Sequence, residues 1–188
     1  TDWLGDSREL IAIEKAGVAR SGKPCVVADP DPPNSLISTL DARGAATFLI
    51  NREWRVVGGE ILTSAHRRYQ LPDDTGLLPV NMGAAIQALE VSGLVMVDQS
   101  LVNHLASVSL TGRLSRVQLK DFELVLDVAH NVESVSQLGK FLRDHPVPGK
   151  TAAVFGVMGD KPIHDMLCQC ESTFDEWNLI GLCHVPRA

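Results

Sequence analysis

Glu123-Leu-Val-Leu-Asp-Val-Ala-His-Asn131 is the stretch whose reading decides the fold. Its first half is β-prone and largely apolar, and Asp127, His130 and Asn131 then arrive within a few positions. Beyond it, Val135, Leu138, Phe141 and Leu142 recur at helical spacing through Ser134-Val-Ser-Gln-Leu-Gly-Lys-Phe-Leu142. A buried strand that ends in polar side chains just before a helix is where open α/β sheets bind ligands. The carboxyl ends of such strands face a crevice, and the helix N-terminus offers unpaired N–H groups to anions. From these residues alone, Asp127 reads equally as a helix cap and His130 as a loop residue.

Working outward, the pattern predicts alternating helices and strands. Asp6 or Ser7 caps a helix through Leu10, Ile11 and Ile13 to Ala16, with Gly17 as its stop. Cys25-Val-Val-Ala28 is a short strand, Asp29-Pro-Asp-Pro-Pro33 a turn, and Leu36, Ile37 and Leu40 mark a helix ending near Gly44. Thr47-Phe-Leu-Ile50 is the next strand, and this alternation indicates a parallel sheet. Arg52 to Gln70 reads as an antiparallel ribbon around Gly58-Gly59. One helix is expected from about Asn81 to Ser92, stopped by Gly93, and another from about Asp98 to Val108. Thr111-Gly-Arg113 reads as a junction, with the domain boundary near Ser109 to Gly112. Strand Thr151–Val157, loop Met158–Pro162, a helix through Cys170 and strand Trp177–Leu182 complete an α/β chain.

Composition narrows the function classes. The chain has 188 residues, room for one large or two small domains, with 45% hydrophobic residues for a core and 21% charged residues, too few for disorder. A net charge of −6 argues against nucleic acid as a partner. No apolar run approaches the roughly 20 residues of a membrane span and no signal peptide opens the chain, so no membrane partner is expected. Cys25, Cys168, Cys170 and Cys183 lack the spacing of a disulfide framework, which points to a reducing cytoplasm. Cys168-Gln-Cys170 with Cys183-His184 raises a zinc site, but two residues apart on a helix means about 200° apart, which favours buried or free thiols. The chain starts at Thr1 without Met and ends at Pro186-Arg-Ala188, and both ends read as cut.

Read together, these stretches resemble the folylpolyglutamate synthase / dihydrofolate synthase family of Mur-type amide ligases. The resemblance runs through Thr1-Asp-Trp-Leu-Gly5, Glu14-Lys-Ala-Gly17, Pro79-Val-Asn81 with Ala84-Ala85, Gly112-Arg113, Asp127-Val-Ala-His-Asn131 and Phe155-Gly-Val-Met-Gly-Asp-Lys161. It implies that residues 1–110 are the C-terminal part of the ATP-binding central domain and residues 111–188 a truncated Rossmann-like ligase domain. The family's phosphate loop and most of its pteroate pocket are then expected upstream of Thr1, and the fragment alone is expected to be inactive. Val132 and Thr111 stand where the family usually has proline, and Pro162 where an acidic residue is usual.

The resemblance also assigns roles. Lys15 would be carbamylated, becoming an oxygen donor suited to Mg2+. Asn81, which could otherwise cap its helix, would read the adenine edge. Arg113 would lie against the ATP phosphates and Asp127 at a ribose hydroxyl. His130 would act near the nucleotide or the incoming glutamate, and Asp160 and Lys161 would line the same cleft. The implied cofactors are ATP and Mg2+, and the implied partners L-glutamate and dihydropteroate or tetrahydrofolate polyglutamates, bound by a monomer. Asn81 and Asp127 would then clamp one nucleotide, and domain closure near Arg113 would shield an acyl phosphate from water. A peptidoglycan-type Mur ligase and a non-catalytic nucleotide-binding or interaction remnant are the competing readings.

Overall fold

Ser7 opens the first helix, α1 (Arg8–Ala16), its hydroxyl accepting the Leu10 N–H at 3.2 Å in a computed structural model that describes residues 7–73, 75, 77–108 and 110–182. Asp6, the other predicted cap, lies outside the described residues. Gly17 does end the helix but stays right-handed at φ −56°. What the position excludes is a side chain, since a Cβ there would lie 2.8 Å from the Glu14 carbonyl oxygen.

The chain divides into two compact units, Thr1–Ser109 and Leu110–Ala188. In the first, β1 (Pro24–Val27) and β2 (Ala46–Leu49) pair in parallel, Val26 opposite Phe48, with α2 (Asn34–Ala42) as the crossover. This is the predicted alternation. Ala16, Ala19, Val27, Leu40 and Leu49 close a core between these strands and the two helices. Arg8 grips Asp29 and Asp31, and Glu9 accepts the Ser35 N–H at 3.0 Å, so α1 is tied both to the loop that precedes α2 and to the first turn of α2.

The ribbon is three antiparallel strands, β3 (Arg55–Val57), β4 (Glu60–Leu62) and β5 (Arg68–Gln70). It packs on α3 (Pro79–Ser92), where Trp54, Ile61, Tyr69, Met82 and Ile86 form the larger core. The helix starts two residues before the expected Asn81 because Pro79, with its fixed φ and no N–H to satisfy, occupies the first turn. Gly93 at φ 64° is its stop. The helix expected from Asp98 to Val108 is shorter: α4 (Gln99–Asn103) tightens into a 3-10 turn over His104–Ser107. Asp98 caps α4 through the Leu101 N–H at 2.8 Å.

In the second unit, β6 (Ser115–Gln118) was not anticipated; it pairs antiparallel with β7 (Glu123–Leu126) around the turn at Lys120-Asp121. Thus β7 is a strand, as read, but among the described residues it has no parallel neighbour. The parallel pair here is β8 (Ala152–Phe155) with β9 (Glu176–Leu179), connected by α6 (Ile163–Cys170). Against them lies α5 (Val132–Asp144), with Val135, Met166 and Cys170 buried beside Phe155 and Trp177. Among the described residues no helix is long and apolar enough to cross a membrane.

Candidate functional site

A tight turn carries Arg113. The Arg113 N–H donates to the Leu110 carbonyl at 2.9 Å, and Gly112 stands at φ 74°. That is the position of a β-turn that a left-handed residue must fill, and glycine fills it without strain. A Cβ on Gly112 would also meet Val128 Cγ1 at 2.8 Å. Leu114 follows at φ 46°, a conformation unfavourable for a residue with a side chain, so its neighbours must hold it there.

Those neighbours come from the end of β7. Asp127 Oδ2 accepts the Leu114 N–H at 2.9 Å, and Oδ1 accepts the Ala129 N–H at 2.8 Å. The Val128 N–H donates to the Gly112 carbonyl at 2.7 Å. Asp127 is therefore not the helix cap. That role falls to Asn131, whose Oδ1 accepts the Ser134 N–H at 2.8 Å while Ser134 Oγ accepts the Asn131 N–H at 3.2 Å. The reciprocal box starts α5 at Val132, the position where related sequences usually have proline.

His130 sits on the exposed loop between β7 and α5. Its Nδ1 is 3.0 Å from the Val128 carbonyl oxygen. A carbonyl can only accept, so Nδ1 carries the proton and, in the neutral ring, Nε2 is the acceptor. The Arg113 side chain is exposed and makes no hydrogen bond or ion pair among the described residues. The second unit thus offers, along one short path, a free guanidinium, a part-buried carboxylate and an imidazole.

The remaining candidates are more isolated. Asn81 is the third residue of α3, exposed, with its N–H bonded to the Leu78 carbonyl at 2.9 Å; it lies inside the helix and is not its cap. Lys15 is exposed in the last turn of α1. Lys161 Nζ pairs with Asp160 Oδ2 at 2.7 Å, and that hydrogen bond holds the Asp160 carboxyl below its ordinary range. Among the described residues no three His, Cys, Asp or Glu side chains gather as a metal site. On α6, Cys170 is buried and Cys168 exposed, as the helical spacing requires, while Cys183 and His184 lie outside the described residues. Composition gave no hint of the Ser115, Leu114 and Asp127 contacts; the signal within reach was the glycine at the third position of the Leu110-Thr-Gly-Arg113 turn.

The class of this second unit comes from its sequence: residues 112–187 match the Mur ligase, glutamate ligase domain family. The similarity extends through the first unit. A dihydrofolate synthase/folylpolyglutamate synthase of Escherichia coli is 33% identical over 182 residues, covering 94% of this chain and 42% of that protein. The solved structure of Escherichia coli FolC in complex with DHPP and ADP superimposes with a TM-score of 0.83 at 33% identity, covering 94% of this chain and 43% of that one. A bifunctional folylpolyglutamate synthase/dihydrofolate synthase with Mn, AMPPNP and L-glutamate bound gives a TM-score of 0.79 at 34% identity, with 94% and 43% covered. Over nearly its whole length the chain is similar to dihydrofolate synthase/folylpolyglutamate synthases, and it spans less than half the length of the curated relatives it matches.

Proposed function

We propose that the protein carrying this chain is an ATP-dependent ligase that joins L-glutamate to dihydropteroate, to the γ-carboxylate of folates, or to both. The observation that carries the reading is the match, over nearly the whole chain, to relatives solved with ADP and DHPP and with AMPPNP and L-glutamate. Those relatives favour the folate branch over a peptidoglycan-type ligase.

In this reading Arg113 meets the phosphates of ATP. A planar guanidinium binds two oxygens at once and offsets the charge that develops on the transferred group. An exposed arginine with no internal partner, on a backbone held from several sides, suits that task. Asp127 would also meet a ribose hydroxyl. An ionised carboxylate offers about four lone-pair sites, and two are engaged by backbone N–H groups. Asn81, whose amide both donates and accepts, would read the adenine edge, and His130 would act beside the nucleotide or the incoming glutamate.

The reaction divides into two displacements. A carboxylate oxygen of the folate attacks the γ-phosphorus of ATP, releasing ADP and forming an acyl phosphate. The amine of L-glutamate then attacks the acyl carbon, the C–O bond to phosphorus breaks, and phosphate leaves as the amide forms. The amine must be neutral to attack, and the unprotonated Nε2 of His130 would accept its proton. Lys15, as a carbamate, would lend an oxygen to a divalent cation such as Mg2+, and the cation would offset phosphate charge when bound. Among the described residues no three His, Cys, Asp or Glu side chains gather to hold that ion, and no step is assigned to it. Multiple-turnover ADP release by the full-length protein, with dihydropteroate or tetrahydrofolate and with or without glutamate, tests the assignment. Sustained release that depends on both substrates supports it; release that continues beyond one equivalent per enzyme without glutamate refutes it.

A further inference from the structure

The hydroxyl of Ser115 closes the turn that presents Arg113. Ser115 Oγ donates to the Leu110 carbonyl at 3.0 Å and accepts the Gly112 N–H at 3.0 Å. Leu110 and Gly112 are the first and third residues of the turn, so one hydroxyl ties both of its arms to the start of β6. Gly112 is buried, and without Ser115 its N–H has no other partner among the described residues.

The far side is held independently. The Asp127 carboxylate accepts the Leu114 N–H, and the Val128 N–H donates to the Gly112 carbonyl. Every backbone group from Gly112 N to Leu114 N that these residues reach is thus fixed, while the guanidinium beyond Cβ stays free. Two left-handed dihedrals, at Gly112 and at the strained Leu114, are held by side chains from β6 and from the end of β7. Strain kept in place by convergent hydrogen bonds at a point that carries one unpartnered charge is the pattern of a preorganised group.

We propose that Ser115 is a positioning residue for Arg113: its hydroxyl, opposite the Asp127 carboxylate, sets the turn that aims the guanidinium at the transferred phosphate. The inference rests on the phosphate reading of Arg113. Ser115 itself touches no reactant. Its contribution is the difference between a guanidinium held where charge develops and one that must be ordered at each turnover. Misplacement of a catalytic group by about 1 Å can cost on the order of 10²-fold in rate.

The test is a double-mutant cycle in the full-length protein, read by kcat and by KM for ATP. Ser115→Ala is expected to lower kcat about tenfold or more, and Ser115→Thr, which keeps the hydroxyl, to restore most of it. In an Arg113→Ala background Ser115→Ala should add little, because there is no longer a guanidinium to aim. An equal loss in both backgrounds overturns the proposal and leaves the role of Arg113 intact. If Arg113→Ala alone leaves ligation unchanged, the phosphate reading falls and the positioning role falls with it. Should Ser115→Ala fail to fold, Ser115→Cys keeps the volume, weakens both bonds and enters the same cycle with the same two outcomes.

Discussion

Gln87, wholly buried on α3, meets Ser64 with both ends of its amide: Oε1 accepts the Ser64 N–H at 3.0 Å and Nε2 donates to Ser64 Oγ at 2.7 Å. The pair pins the loop that links β4 to β5 onto the helix that carries Asn81. A buried donor or acceptor stripped of its partner costs about 1–3 kcal/mol. Gln87→Leu, similar in size but unable to bond, should lose about that much in urea-induced unfolding, with Ser64→Ala in the same background adding little. An unchanged midpoint would mean that water replaces both contacts.

Gly83 faces the ribbon from the middle of α3. A Cβ there would lie 2.5 Å from Val56 Cγ2 and 3.1 Å from the ring of the buried Trp54. Alanine gains about 1 kcal/mol in helix propensity over glycine. Forcing a methyl into a filled core costs about 1–3 kcal/mol, and a β-branched valine against an enclosed indole yields little. Gly83→Ala should therefore destabilise the protein, measured by thermal unfolding, despite the better helix former.

Glu9 ties α1 to α2 through Ser35, and hydrogen bonding from Ser35 holds its carboxyl below the ordinary 4.5. A carboxyl lowered in the folded state adds stability above 4.5, and that gain disappears as pH falls through the lower folded value. Glu9→Gln should flatten the acid side of the stability–pH profile in that window and leave the neutral side with the same slope. A profile identical to that of the parent would place the acid sensitivity elsewhere.

In the proposed reading Arg113 is the residue on which the chemistry turns. Removing one preorganised stabiliser of developing charge costs about 10²-fold or more in kcat. Arg113→Ala should show such a loss at saturating ATP, with the midpoint of unfolding unchanged because the side chain makes no hydrogen bond or ion pair among the described residues. Full activity in the variant would remove Arg113 from the phosphate site.

The elements that sequence made legible are those whose signals are local. Ser7 before an apolar-periodic run, Gly93 after one, and the alternation that gives β1, α2 and β2 all read correctly because cap, stop and period lie within a few residues. β6 escaped notice because most of its residues are exposed, so no buried stripe marks it. The helix after Asp98 was read too long, since nothing in its composition announces the tightening after Asn103. Asp127 draws attention by its position at a strand end, yet its partner Leu114 is thirteen residues away and reachable only through two left-handed dihedrals. Contacts of that kind exist only once the chain has folded, and Ser115 belongs with them.

The central claim, that a carboxylate is activated by ATP before glutamate attacks it, is tested most directly by labelling the folate carboxylate with 18O and following the label through one round of ligation by the full-length protein. Attack of that carboxylate on the γ-phosphorus and later cleavage of the acyl C–O bond carry one labelled oxygen into inorganic phosphate. The account predicts phosphate bearing one 18O for each amide formed; amide formed together with unlabelled phosphate would contradict it.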